Sequence, residues 1–202
     1  MVFSLFYGSN RHYGPGMGGD VDFSPTSGAG RAVARGGQIA LRYPELGDPP
    51  RGALSGVGWH IDGMDRGQHS PFNLLVGVCL SDQQEEFGGN LCVWPGSHYT
   101  LQELIAEQRL PVHPTPEEQE DVSFRLRGLM RIDLGEPVQL RLRQGDCVLC
   151  HQKLAHRGGP NHGPHIRQMV YFRVSHRSLR ATSDALVLCD LFLHFEGLQG
   201  ET

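Results

Sequence analysis

The sequence has 202 residues, the length of one domain, and its 39% hydrophobic residues are enough to bury a core and too many for a disordered chain. Its 27 glycines and 13 prolines argue against a helical bundle and favour short strands joined by turns. The formal net charge is −4 and no basic stripe runs through the chain, so we expect no nucleic-acid partner.

Two regions of the chain differ in composition. Residues 1–36 are rich in glycine, and we expect them to form an irregular N-terminal segment. Residues 37–202 carry the alternating and continuous apolar runs that predict strands of a second, folded unit. In chain order, strands are predicted at residues 37–43, 72–80, 91–94, 137–143, 147–152 and 167–174, with a strand end running into a turn at 58–63.

Two capping boxes predict short helices between the strands at 91–94 and 137–143. One is the Thr-Leu-Gln-Glu sequence at 100–103, and the other is the Thr-Pro-Glu-Glu sequence at 115–118. Apolar groups at 186–188 and 191–193 predict a C-terminal cover. About seven short strands with one helical insertion indicate a mainly β fold, an antiparallel sandwich or barrel of the jelly-roll type.

A His-x-Asp sequence, His60-Ile61-Asp62, is the first candidate metal site. Residues two apart on a strand face the same way, so the imidazole and the carboxylate are able to share a cation. The spacing alone is weak, because His194-Phe-Glu196 provides a rival pair of the same kind.

A second histidine and an arginine stand in a favourable order further along the chain. A strand is expected to end near His156, a turn follows, and Arg167 opens the next strand. If these strands pair as a hairpin, both residues lie at one end of the sheet. Two histidines and one aspartate form the facial triad of non-haem iron(II) sites, and a guanidinium suits the distal carboxylate of a dicarboxylate cosubstrate.

Four ordered pieces carry a family resemblance. They are Trp59-His60-Ile61-Asp62-Gly63, the Gly-Asn-Leu-Cys-Val-Trp-Pro-Gly-Ser-His sequence at 89–98, Gly145-Asp146 with His156 and the Gly-Pro-Asn sequence that ends at Asn161, and Arg167. With these pieces the chain resembles, over about residues 37–175, the phytanoyl-CoA dioxygenase family of iron(II)- and 2-oxoglutarate-dependent oxygenases.

The resemblance implies a fold, a ligand set and a reaction. It implies a double-stranded β-helix, a cupin-like jelly roll, for residues 37–202. It implies His60, Asp62 and His156 as the catalytic iron ligands and Arg167 as the anchor for 2-oxoglutarate. The implied reaction consumes O2, releases succinate and CO2 and hydroxylates a small or medium organic molecule, with ascorbate as a candidate reductant; the carboxylate of Asp62 favours hydroxylation over halogenation.

Four further polar residues are candidates for contact with the cosubstrate. Asn161 follows His156 in the loop, Gln38 and Arg42 lie on the early strand, and Asn73 opens a buried strand. Each also has a purely structural interpretation, as a turn residue, a strand position or a buried amide bonded to backbone.

Two other functions remain open at this point. A jelly-roll protein that binds metal and 2-oxoglutarate without turnover, as a sensor or scaffold, keeps the same ligands. A non-oxidative metal enzyme on the same barrel typically uses three histidines and does not need Arg167. In each case we expect a small-molecule ligand, no membrane partner and a cytoplasmic location, because no signal peptide, membrane span or C-terminal peroxisomal signal is found in the sequence; the oligomeric state stays open.

Overall fold

The computed structural model describes residues 21–23, 32–34, 36–56, 58–62, 64–65, 68–69, 72–107, 132–176, 178–179 and 192–195. The capping box predicted at 115–118 and the apolar group at 186–188 lie outside these residues. The elements are, in chain order, β1 (Val21–Phe23), β2 (Ala32–Ala34), β3 (Gln38–Arg42), β4 (Met64–Asp65), β5 (Gln68–His69), β6 (Leu74–Cys79), β7 (Leu91–Val93), α1 (Ser97–Glu107), β8 (Val138–Gln139), β9 (Cys147–His151), β10 (His156–Gly158) and β11 (Arg167–His176).

The strands form three antiparallel sheets. The six-stranded sheet has the order β1-β2-β11-β6-β9, and β3 pairs with β11 beside β2. The three-stranded sheet has the order β10-β7-β8, and β4 pairs with β5 in a small hairpin. This mainly β, jelly-roll architecture with a short helix confirms the predicted fold class.

The core lies between the two larger sheets. Alternation along β6 buries Leu75 and Cys79, and the same cluster takes Met169 from β11 and Leu91 and Val93 from the smaller sheet. Residues two apart on a strand share a face, so the faces that meet are apolar while the intervening positions stay partly exposed. The cluster therefore joins both sheets into a sandwich.

A second apolar cluster supports the smaller sheet. It contains Trp59, Ile61, Trp94 and Leu101, and it brings α1 against the strand ends. The indole N–H of Trp94 donates to the Gly135 carbonyl at 2.7 Å, which satisfies its single polar atom. The residues that flank His60 are thus held by packing on the apolar side of their strand.

Several elements differ from the sequence expectation. Helix α1 begins at Ser97, three residues before the box at 100–103, because the turn at Pro95 and Gly96 already starts the helical hydrogen bonding, with the Tyr99 N–H donating to the Gly96 carbonyl. The strand expected at 137–143 is reduced to β8. The N-terminal segment expected to be irregular contributes β1 and β2. Among the described residues, no helix is long and apolar enough to cross a membrane.

The expected hairpin between the strands of His156 and Arg167 is absent. After β9 the chain turns at residues 152–154 and crosses to the other sheet, where β10 pairs with β7. Strand β11 lies in the six-stranded sheet and pairs with β3 and β6. His156 and Arg167 therefore approach each other from opposite sheets and not from one hairpin.

Candidate metal and cosubstrate site

Backbone pairing brings His60 and His156 together. The two residues form an antiparallel bridge in which each N–H donates to the other's carbonyl at 3.0 Å. Directly opposed residues project their side chains from the same face of a sheet, so both rings stand on one side. Their centroids are 4.5 Å apart.

Asp62 completes a compact group of ligand atoms. It follows His60 by two positions, and its Oδ1 lies 3.8 Å from the Nε2 of His60 and 3.8 Å from the Nε2 of His156. One ligand atom from each of the three residues lies within 4.8 Å of the other two. Imidazole nitrogen and carboxylate oxygen are donors that a first-row transition metal accepts, so this set fits such an ion.

A backbone contact fixes the tautomer of His156, and burial lowers the pKa of His60. The carbonyl oxygen of Leu154 can only accept a hydrogen bond, so its 2.8 Å contact assigns the proton of His156 to Nδ1. The Nε2 of His156 then carries the free electron pair. The side chain of His60 is 49% exposed, yet desolvation and the neighbouring His156 lower its pKa to about 4, which keeps it neutral at physiological pH.

The predicted site residues gather around a cavity of about 260 Å³. Six of the eight predicted positions line it, namely Gln38, Arg42, His60, Asp62, His156 and Arg167. They come from both sheets, so the cavity opens between the layers of the sandwich.

Arg167 is fixed in the cavity wall. Its side chain is buried, its Nε donates to the Gly89 carbonyl at 2.6 Å and its Nη1 donates to the Ala40 carbonyl at 3.3 Å. Burial lowers the pKa of the guanidinium from its ordinary high value. A buried guanidinium with part of its fork already held by carbonyls offers its remaining donors in one orientation.

The guanidinium of Arg42 approaches Gly158 on β10, as does that of Arg167. Arg42 donates from Nη2 to the Gly158 carbonyl at 3.2 Å. A Cβ on Gly158 would lie 2.8 Å from the Nε and Nη2 of Arg42 and 3.1 Å from the Nη2 of Arg167. The absence of a side chain at Gly158 is therefore what lets both groups reach this end of the cavity.

The structure does not bring the other two predicted residues to the cavity. Asn161 is fully buried, where its amide donates to the carbonyls of Arg42 and His165. Asn73 accepts from the His176 N–H at 2.6 Å, and its Nδ2 lies 3.2 Å from the Nδ1 of His194. Both amides are engaged by protein partners, so the structural interpretation fits the geometry of each.

Two cavity residues on β11 were missed from the sequence. Tyr171 and Arg173 line the cavity together with Arg167. They stand four and six positions after it, and even spacing on a strand places side chains on one face. The alternation along β11 is the signal that finds them. Burial raises the pKa of Tyr171 to about 12, so its phenol stays protonated.

Comparison with known proteins gives one family and several distant structural neighbours. No curated protein matches the sequence. The crystal structure of EvdMO1 is 21% identical with a TM-score of 0.43, covering 72% of this chain and 27% of that one. AviO1 from Streptomyces viridochromogenes Tue57 is 21% identical with a TM-score of 0.42, covering 73% of this chain and 52% of that one.

A third neighbour is HygX from Streptomyces hygroscopicus, whose structure has nickel, 2-oxoglutarate and hygromycin B bound. It is 19% identical with a TM-score of 0.32, covering 72% of this chain and 54% of that one. This chain thus matches about a quarter to just over half of the length of these structures. The family model for phytanoyl-CoA dioxygenase (PhyH) matches residues 48–169, a range that contains His60, Asp62, His156 and Arg167. Since that range is more than half of the sequence, the chain belongs to the phytanoyl-CoA dioxygenase family.

Proposed function

We propose that this chain is an iron(II)- and 2-oxoglutarate-dependent dioxygenase that hydroxylates a small or medium organic molecule and releases succinate and CO2. The observation that carries the proposal is the grouping of His60, Asp62 and His156 within 4.8 Å at a cavity whose wall contains the buried Arg167. A metal bound by these three residues is compatible with many reactions. The buried Arg167 is the feature that favours a dicarboxylate cosubstrate.

The two imidazoles are suited to metal binding for different reasons. Burial lowers the pKa of His60, so its ring is neutral, and the Leu154 carbonyl holds the Nδ1 proton of His156, which leaves the Nε2 of His156 for the metal. Asp62 contributes the negative charge through Oδ1. Iron(II) bound there would supply the electrons that activate O2 while 2-oxoglutarate is decarboxylated.

The arginine end of the cavity orients the cosubstrate. The fork of Arg167 is held by two backbone carbonyls, and its remaining N–H groups pair with the distal carboxylate of 2-oxoglutarate. Tyr171 is a phenol at neutral pH, and its O–H donates to the Sδ of Met169 at 3.1 Å in the same wall. The pairing of Arg167 with the distal carboxylate, buried in the wall, excludes water and determines which end of 2-oxoglutarate faces the metal ligands.

The proposal is tested by anaerobic titration of the metal-free protein with iron(II) and then with 2-oxoglutarate. We expect the weak visible charge-transfer band of a bidentate complex, lost in His156→Ala and requiring more 2-oxoglutarate in Arg167→Ala. A folded, iron-loaded protein that gives no band contradicts the proposal. Iron binding together with a 2-oxoglutarate requirement that is unchanged in Arg167→Ala would favour the non-oxidative metal enzyme.

Turnover separates the enzyme from the silent binding protein. With oxygen admitted, we expect slow release of succinate even without the organic substrate, and none from His60→Ala. A band without succinate release, over a panel of small organic molecules, would favour the sensor or scaffold.

A further inference from the structure

Arg173 links the two sheets at the metal ligands. It lies on β11 in the six-stranded sheet, whereas Asp62 follows the segment of His60 that bridges the three-stranded sheet. The Nη2 of Arg173 donates to the Oδ2 of Asp62 at 2.9 Å, between residues 111 positions apart in the sequence. Neither the family match, which ends at residue 169, nor the sequence motifs include this arginine.

A second contact fixes the orientation of the Arg173 guanidinium. Its Nη1 donates to the Oε1 of Gln38 at 3.1 Å, and Gln38 is on β3, opposite Tyr171 in the register of β3 with β11. The guanidinium carbon also lies 5.8 Å from the centre of the Phe72 ring. With one nitrogen on Gln38 and the other on Asp62, the planar group is held in a single rotation.

The two carboxylate oxygens of Asp62 thus have different surroundings. Oδ1 is the oxygen that lies 3.8 Å from both histidine Nε2 atoms. Oδ2 is the oxygen that accepts from Arg173. We propose that Arg173 is a positioning residue that holds Asp62 as a ligand through one oxygen only, an inference that rests on the proposed metal site.

The number of Asp62 oxygens that bind the metal determines how many coordination positions remain open for other ligands. With one oxygen from Asp62 and two imidazoles, an octahedral ion keeps three open positions, enough for a bidentate oxo acid and O2. A carboxylate free to rotate is able to bind through both oxygens and occupy a further position. Arg173 prevents this by engaging Oδ2.

The ion pair between Arg173 and Asp62 is expected to add little to the free energy of unfolding. A positioning role therefore accounts for it better than a role in folding. The side chain of Arg173 is 40% exposed, and an ion pair with that exposure contributes little to folding. Partners of metal-bound residues, in contrast, typically change metal affinity 10- to 100-fold when they are removed. The effect is therefore expected on the metal and not on the fold.

The test uses cobalt(II) as a spectroscopic probe in the full chain. Arg173→Met removes the donor, and Arg173→Lys keeps the charge without the fork. Arg141→Met is the matched control, because Arg141 forms a 2.7 Å ion pair with the exposed Glu86. Cobalt(II) affinity is measured by calorimetry, coordination by the intensity of the visible absorption, and folding by thermal unfolding of the metal-free protein.

We expect Arg173→Met to weaken cobalt(II) binding about 10- to 100-fold and to change the visible spectrum, with Arg173→Lys intermediate and Arg141→Met unchanged. An unchanged affinity and spectrum in Arg173→Met would overturn the inference. Because cobalt(II) is added alone, these results stand apart from the charge-transfer test of the proposed function.

Discussion

The glycine at position 158 gives the sharpest test of how the cosubstrate is held. Gly158 lies on β10, two positions after His156, in a backbone conformation that alanine also adopts. A methyl group there would meet the Arg42 guanidinium at 2.8 Å, well short of the 3.4 Å at which ordinary contact begins. Arg42 is exposed and able to retreat, whereas Arg167 is fixed by its carbonyl partners.

The size of the effect follows from that displacement. A hydrogen bond from a guanidinium to a carboxylate contributes about 1.5–3 kcal/mol. A bond from Arg42 to the cosubstrate carboxylate would be lost if Arg42 moved back by about half an ångström. Since about 1.4 kcal/mol corresponds to a tenfold change, Gly158→Ala is expected to weaken 2-oxoglutarate binding about 10- to 100-fold. Metal affinity is expected to stay unchanged, because no metal-ligand atom is among the nearest neighbours of the added methyl group.

Calorimetry with a redox-inert metal, first alone and then with 2-oxoglutarate, separates the two bindings. Gly36→Ala is the control, because a Cβ at Gly36 has nothing within 4 Å. Wild-type affinity for 2-oxoglutarate in Gly158→Ala would refute the reasoning that this end of the cavity receives the carboxylate. A parallel loss of metal binding would instead indicate collapse of β10.

Three further predictions follow. Arg167→Lys keeps the charge but not the fork, and we expect at least about tenfold weaker 2-oxoglutarate binding by calorimetry; equal affinity would contradict a bidentate role. Asn161→Ala leaves buried backbone groups without partners and is expected to cost about 1–3 kcal/mol in urea unfolding; a change under about 0.5 kcal/mol would contradict it. Burial lowers the pKa of His98 to about 4, so the unfolded chain takes up the proton first and stability falls as pH drops below about 6.5. The loss attributed to His98 is about 2 kcal/mol at pH 5, and His98→Asn should remove it; identical pH profiles in wild type and His98→Asn would exclude this cause.

The local part of the site is readable from the sequence. His60 and Asp62 are two apart on an extended segment, and that spacing alone places them on one face. His156 is different, because its place opposite His60 depends on a pairing between distant segments that no periodicity reveals. The resemblance to a family supplied this residue, and the bridge between the two backbones explains why it fits.

Tertiary partners determine the features that sequence reasoning did not reach. Asn161 and Asn73 are buried amides, and which buried group satisfies an amide is a matter of the surrounding loops. The hairpin expected between His156 and Arg167 did not form because a three-residue turn moved the chain to the other sheet. Arg173 was predictable from alternation along β11, but its partner Asp62 was not.

The bridge between His60 and His156 also ties the ligand set to the folding of the whole chain. Pairing two segments so far apart costs loop-closure entropy, and contacts of this range slow the folding of β proteins. A fragment that stops before β10 lacks His156, one of the three candidate ligands. A metal ion that binds the native chain and not the unfolded one raises stability by mass action, so a metal held at the proposed site would also protect the fold against heat and proteolysis.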